Sequence, residues 1–392
     1  PRVARLADRV ASTFVTWVLA IAAVNAVVWG FIDPDRAIWT TLAVLVATCP
    51  CALSLATPVA VAAATNGFAR SGLLVAKGSF LEELDGIDRF IFDKTGTLTR
   101  GETRVASVLP FPGHQVDDVL SIACALEFGS EHPVAHAFRR SGVSGQSAPS
   151  IPCKHLQSVP GSGVQGTIDE RTYKIGRPEW VAHHLSEPPA EPDTDRVWIL
   201  LGSEGDLLAW FGIEDSIRSD AHDALADLSR ENIKLEMLSG DPSRSGRDVA
   251  RTLGLANARF GATPEEKVAR VQALQAAGEK VAVVGDGVND APLLNAADVS
   301  IAMGSGCDLS RLGADAVLLS DDLTLLPKAV DGARKFRHIV LQNFAWAIGY
   351  NAIALPLAVS GMLSPWLAAI GMSTSSLVVV LNALRQIGSA HV

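Results

Sequence analysis

Charge is missing from three long stretches of this 392-residue sequence. No Asp, Glu, Lys or Arg occurs in residues 10–32, 37–69 or 339–384. Uncharged runs of that length are long enough to cross a bilayer as helices. The last exceeds one span and is punctuated by SGMLSP at 360–365. Four membrane helices are therefore expected, at about 10–32, 38–65, 339–360 and 365–384. The bland alternative is a set of core helices, and run length weighs against it. A disulfide framework is also missing. The five cysteines, Cys49, Cys51, Cys124, Cys153 and Cys307, are odd in number and irregularly spaced. Basic excess is absent too, since the net charge is −9, and no nucleic-acid partner is expected. No signal peptide is visible and the first residue is Pro1, so a piece of a longer protein is expected.

What charge there is has a pattern. The stretch from Arg70 to His338 is mixed in composition and reads as a globular insert. Basic residues flank it and both chain ends: Arg2, Arg5, Arg9, Arg70, Lys77, Arg334, Lys335, Arg337 and Arg385. The short loop DPDR at 33–36 has no basic excess. By the positive-inside rule the insert and both termini face the cytoplasm of an integral, multi-pass, lipid-embedded protein.

Within the insert, three apolar runs end in Asp-containing turns: RFIFDKTGTLT (89–99), IKLEMLSGD (233–241) and KVAVVGDGVNDAP (280–292). Each reads as a buried parallel strand followed by a loop. Segments 216–232 and 264–279 before the latter two have helical spacing. Alternating helix and strand predicts a doubly wound sheet, whose ligands bind beyond the carboxyl ends of the strands. All three turns fall at that edge. Asp93 there is a candidate nucleophile toward a phosphoryl group, with Lys94, Thr95 and Thr97 following it. Phosphoryl transfer needs positioning and neutralised charge. Lys267 offers a cation, Ser239 and Gly240 offer donors, and Asp286 and Asp290 are hard ligands suited to Mg²⁺. Gly285 and Gly287 permit close backbone approach. Any single one of these turns would ordinarily be only a turn.

The combination DKTGTLT, SGD, PEEK and GDGVNDAP resembles the phosphorylation domain of P-type ATPases, within the haloacid-dehalogenase-like superfamily. The resemblance implies a Rossmann-type phosphorylation domain in two parts, 70–100 and 206–333, with an inserted α+β nucleotide-binding domain at 101–205. Membrane helix pairs at 1–69 and 334–392 complete the α-helical part. Asp93 would be the phosphorylated residue, served by Lys94, Thr95, Thr97, Ser239, Gly240, Asp241 and Lys267, with Asp93, Asp286 and Asp290 around Mg²⁺. EFGSEHPVAHA (127–137), VPGSGVQG (159–166) and KIGRPEW (174–180) resemble the nucleotide domain of the heavy-metal members. That likeness assigns ATP contacts to Glu127, His132, Gly161, Gly163 and Gly176. Arg177 stands where that family is expected to carry Asn, which leaves its role open.

The apolar second run contains CPC at 49–51. Residues two apart on a regular helix point to different faces. Pro50 disturbs that regularity, and local unwinding can turn the Cys49 and Cys51 sulfurs toward one point. Two buried thiolates suit a soft ion such as Cu(I). The alternative is two small residues beside a kink. With the ATPase motifs, CPC resembles the metal site of heavy-metal pumps. Tyr350 and Asn351, with Met372, Ser375 and Ser376, resemble the pattern of Cu(I)-transporting members, and zinc or cadmium relatives would be expected to carry an intramembrane carboxylate or Lys. CPCALSLATP with GMSTSSLVVVLNALR looks more like members tied to cytochrome oxidase assembly than detoxifying ones. The resemblance implies ATP and Mg²⁺ as cofactors, a cytoplasmic copper carrier as donor, and a bacterial inner or plasma membrane location. It also implies an actuator domain with a TGE loop and further helices, expected from a longer chain. RGET at 100–103 is read as the hinge into the nucleotide domain. The rival readings are a membrane-tethered phosphatase that moves no ion, a zinc or cadmium pump, and a non-catalytic copper-binding protein.

Overall fold

The computed structural model describes residues 2–48, 51–128, 130, 134–135, 137–138, 151–159, 161–185, 188–192, 196–241, 244–286, 290–304 and 313–388. Three helices open the chain: α1 (Arg2–Ile32), α2 (Pro34–Ala47) and α3 (Cys51–Ser71). α2 starts with Pro34 in its first turn, where no backbone donor is needed. It ends at Thr48, whose hydroxyl donates to the Val44 carbonyl at 2.6 Å. The expected span at 38–65 is thus two helices, interrupted next to the proline at 50. Pro58 lies inside α3 without ending it.

The third expected span also differs from its prediction. One helix, Leu325–Val359, carries the chain from the globular part into the apolar bundle, so it begins at Leu325 rather than near 339. Its first turns are amphipathic. Ala329, Val330, Ala333, Phe336 and Val340 are buried against Phe68 and Leu81 in the core of the globular part. Arg337 donates to Asp85 at 3.2 Å, and Arg334 pairs with Glu231. The C-terminal helix is Pro365–Gly388. Of the four expected spans, Val15–Ile32 and Pro365–Arg385 are by themselves long and apolar enough to cross a membrane. Among the described residues the other two do not meet that measure, and the helix Leu325–Val359 carries Gln342, Asn343 and Asn351 in its apolar run. All these helices pack through small residues, with Ala22, Ala43, Ala47, Ala354, Ala358 and Ala368 in one cluster.

Among the described residues the thirteen strands in chain order are β1 (Leu73–Val75), β2 (Arg89–Asp93), β3 (Thr99–Pro110), β4 (Lys154–Val159), β5 (Gly163–Ile168), β6 (Arg171–Gly176), β7 (Val197–Ser203), β8 (Asp206–Ile217), β9 (Lys234–Leu238), β10 (Asn257–Arg259), β11 (Val281–Gly285), β12 (Val299–Met303) and β13 (Ala316–Leu318). Seven form one sheet in the order β1-β13-β12-β11-β2-β9-β10, parallel except for β1. β2 and β11 are buried along their whole length, because helices cover both faces and no polar alternation is needed. Phe90 and Phe92 face one apolar layer and Ile91 the other.

The other six strands form a sheet in the order β3-β8-β7-β6-β5-β4, every neighbouring pair antiparallel. This sheet continues to Ile217, beyond the expected domain boundary at 205. The reason is local: residues 203–206 turn a hairpin with Gly205 at φ +84°, and β8 then runs the full length of β3 back toward the first sheet. Phe211, Leu201, Ile175 and Leu126 centre its core.

Candidate functional site

β2 ends in Asp93, and its neighbours on either side, β9 and β11, end beside it. Asp93 is 6% exposed. One carboxylate oxygen lies 2.5 Å from the Lys267 ammonium, and the other accepts from the Thr95 backbone N–H at 2.9 Å. Lys267 also donates to Asp290 Oδ1 at 2.9 Å. It stands in the second turn of the helix Pro264–Ala276, whose start is fixed by a capping box between Thr263 and Glu266. Lys94 reaches sideways to Asp241 Oδ2 at 2.5 Å. Gly96 holds φ +75°, and a Cβ there would lie 3.2 Å from that of Asp286, so the turn after Asp93 needs glycine at this point.

Burial, with Asp290 second, pushes the Asp93 carboxyl up to about 6, against the pull of Lys267 and the Thr95 N–H. Burial pulls on Lys267 in the opposite sense, but Asp93 and Asp290 more than offset it and its pKa is raised. The site thus carries more negative charge than one ammonium neutralises. Asp93, Asp286 and Asp290 offer oxygen donors of the chemistry that suits Mg²⁺, although among the described residues no three carboxylates, histidines or cysteines are gathered closely enough to hold an ion as they stand. Bound there, the ion would supply charge neutralisation to a phosphoryl group.

The structure brings Asp93, Lys94, Thr95, Thr97, Ser239, Gly240, Asp241, Lys267, Asp286 and Asp290 to one sheet edge. Ser239 is buried, and its hydroxyl accepts from the Asp241 N–H at 3.1 Å. Gly240 lies beside the Ala262 carbonyl. Thr97 is fully buried, and its hydroxyl has no hydrogen-bond partner among the described residues.

Two residues of this edge were missed by the sequence reading. Asp215, near the end of β8, accepts from the Thr99 hydroxyl at 2.5 Å. Burial raises its carboxyl, the Thr99 hydrogen bond opposing. Arg218 clamps the Asp93 turn from behind, donating to the carbonyls of Thr97 at 2.9 Å and Gly96 at 3.2 Å. The signal was EDSIR at 214–218, a carboxylate and a guanidinium where a long strand re-enters the first sheet.

A cavity of about 310 Å³ lies against the six-stranded sheet, lined by Glu127, Gly161, Gly163, Gly176, Arg177 and Trp198 among others. Gly163 and Gly176 face each other across β5 and β6. A Cβ on Gly163 would come 2.1 Å from the Ile175 carbonyl oxygen, and one on Gly176 2.2 Å from that of Ser162. Only glycine allows that approach. The Arg177 N–H donates to the Ser162 carbonyl at 2.8 Å and closes the same corner. His132 lies outside the described residues.

In the helical bundle, Cys49 also lies outside the described residues, and for Cys51 the backbone alone is described, at the start of α3. The Tyr350 hydroxyl approaches Gly371, the residue before Met372, where a Cβ would come 2.8 Å from it. Asn351 donates to the Ala347 carbonyl at 2.8 Å, while its side-chain oxygen is buried without a partner among the described residues. Ser375 is buried and accepts from the Trp346 indole at 3.1 Å. Ser376 and Met372 are half-buried beside it on the same helix.

Residues 87–298 match the haloacid dehalogenase-like hydrolases, and the chain belongs to that family. Over nearly its whole length it is similar to heavy-metal P-type ATPases. A copper-exporting P-type ATPase of Mycobacterium leprae is 37% identical over 97% of this chain and 49% of its own length. A nitrogen fixation protein, FixI, of Rhizobium leguminosarum is 38% identical over 98% of this chain and 50% of its own. A zinc-transporting PIB-type ATPase solved in its E2.Pi state superposes with a TM-score of 0.81 at 31% identity, covering 95% of this chain and 62% of that one. The chain spans about half the length of the curated relatives it matches.

Proposed function

We propose that this chain is the phosphorylation, nucleotide-binding and metal-conducting part of an ATP-driven Cu(I) exporter of a cell membrane. The observation that carries the reading is Asp93, buried at the end of the central strand with Lys267 2.5 Å from its carboxylate, in a chain whose globular part is continuous with apolar helices. An Asp93 oxygen attacks the γ-phosphorus of ATP, the bond to the bridging oxygen breaks, and ADP leaves with the electron pair. Lys267 follows the charge onto the phosphoryl oxygens. The nucleotide is held in the cavity of Gly163, Gly176 and Glu127, with Gly161 at its lip. The cargo passes the interrupted helix at Cys49 and Cys51, then Tyr350, Asn351, Met372 and Ser376. A cytoplasmic copper carrier would deliver it, and an actuator domain with further helices would complete the cycle.

Copper is favoured by soft ligands, thiolate and thioether, and by the lack of Asp, Glu or Lys in 339–384. The zinc reading has the solved neighbour on its side and that lack against it. Acid-stable label from γ-labelled ATP tests the proposal, with Asp93→Asn as control and Cu(I), Ag(I) and Zn(II) compared. Label on Asp93 that depends on Cu(I) or Ag(I), and is lost when Cys49 and Cys51 are replaced, is expected. Label indifferent to metal moves the weight to a membrane-tethered phosphatase.

A further inference from the structure

Beneath the Asp93 edge lies a chain of ion pairs centred on the buried Glu236 and Arg89. Glu236, in β9, is 1% exposed. Its carboxylate accepts from Arg270 Nε at 2.8 Å and Nη2 at 3.0 Å, and from Arg89 Nη1 at 3.0 Å. Arg259 Nε lies 3.6 Å away. Arg89 passes the link on to Glu279 at 2.8 Å, where Lys234 also donates at 2.5 Å. A carboxylate buried this deeply is costly unless its lone pairs are met. On the same face Ile91, Leu238 and Val271 are apolar. A hydrophobic residue would suit this strand position at lower cost, so the ionic choice must serve geometry.

Register ties the cluster to the reacting groups. Arg89, Ile91 and Asp93 alternate onto one face of β2, and Glu236 pairs with Ile91. Lys267 and Arg270 are three apart on the helix Pro264–Ala276 and share its inner face. The helix is thus pinned to the sheet twice, by Lys267 on Asp93 and, one turn later, by Arg270 on Glu236. We propose that Glu236 is a positioning residue for phosphoryl transfer: through Arg270 and Arg89 it fixes the height and rotation of the helix, so that the Lys267 ammonium alone moves when a phosphoryl group joins Asp93. Apolar contacts would let the helix slide or roll; a bidentate guanidinium–carboxylate pair does not. The proposal rests on the aspartyl-phosphate reading above.

The test uses the full chain in lipid, with Glu236→Leu, Glu236→Gln and Arg270→Met. Labelling of Asp93 from ATP is followed as a rate against ATP concentration, and amide hydrogen exchange of segment 264–276 is followed without nucleotide. In Glu236→Leu the labelling rate is expected to fall about tenfold at unchanged half-saturating ATP. Exchange in 264–276 is expected to rise about tenfold while that of β11 stays put. Glu236→Gln, which keeps an acceptor oxygen, recovers part of both. Wild-type rates and exchange in Glu236→Leu overturn the proposal. So does a loss confined to the affinity for ATP. If the leucine variant fails to fold, Arg270→Met is read on the same two scales with the same meaning. If the wild type takes no label, the aspartyl-phosphate reading falls, and exchange in 264–276 alone decides whether Glu236 holds the helix.

Discussion

Glu279 shows how far partners can set the ionisation of one residue. Hydrogen bonds from Arg89, then Lys234, hold its carboxyl down at about 2 in spite of partial burial. A carboxyl depressed on folding stabilises the protein above its unfolded pKa and loses that contribution as pH falls through the folded one. The window here runs from about 4.5 down to about 2. Solvent reaches this group, so the effect is on the order of 1 kcal/mol. Glu279→Gln is therefore expected to lower the unfolding free energy by that amount at pH 7. Denaturant titrations at a series of pH values check it: the gap to wild type must close toward pH 2, and a constant gap refutes the linkage. Asp93, Lys267 and Asp290 were legible in the sequence because each sits in its own short motif. Glu236 and Arg89 were not, since KLEML and RFIFD betray no pairing until strand register sets Glu236 beside Ile91.

At the scale of elements, local chemistry was legible where it stops or starts a helix. TPEEK announces the capping box that opens Pro264–Ala276, and the proline at 50 announces a break next to Thr48. The start of Leu325–Val359 was hidden for the opposite reason. Lys328, Asp331, Arg334 and Lys335 make 325–338 look like surface, while every third or fourth residue is buried and no stop signal precedes the apolar run. The hairpin turn at Gly205 was likewise read as a domain boundary, because a turn signal does not say which sheet the next strand joins. The capping box also makes a prediction. Thr263→Ala removes the acceptor for the Glu266 N–H and should cost about 1 kcal/mol. Lys267 lies one residue beyond that bond, so fraying reaches the site. Labelling of Asp93 should slow several-fold, and Thr263→Ser should restore it. An equal defect in the serine variant would mean that the hydroxyl cap is not what matters.

Across the whole molecule, the two sheets and the helical bundle are joined by few covalent strands but by firm contacts. β3 and β8 link the sheets, Arg218 locks their junction to the Asp93 turn, and Leu325–Val359 runs unbroken from the globular core into the bundle. Forming the aspartyl-phosphate needs the groups gathered at the β2 edge. Hydrolysing it needs in addition a group that orients water against the phosphorus, and Asp290, Asp241 and Asp215 at this edge are engaged with Lys267, Lys94 and Thr99. The chain matches about half the length of its curated relatives. On the proposed function, the water-orienting group belongs to the other half. The chain alone is thus expected to accumulate label on Asp93 and lose it slowly. Adding the remaining half of a close homologue in trans should speed the loss at least tenfold without changing the rate of labelling. A pulse of labelled ATP followed by an unlabelled chase measures both rates in one experiment. Fast loss from the chain alone would show that its own residues orient water, and would turn attention to Asp215, near the end of β8 beside Thr99.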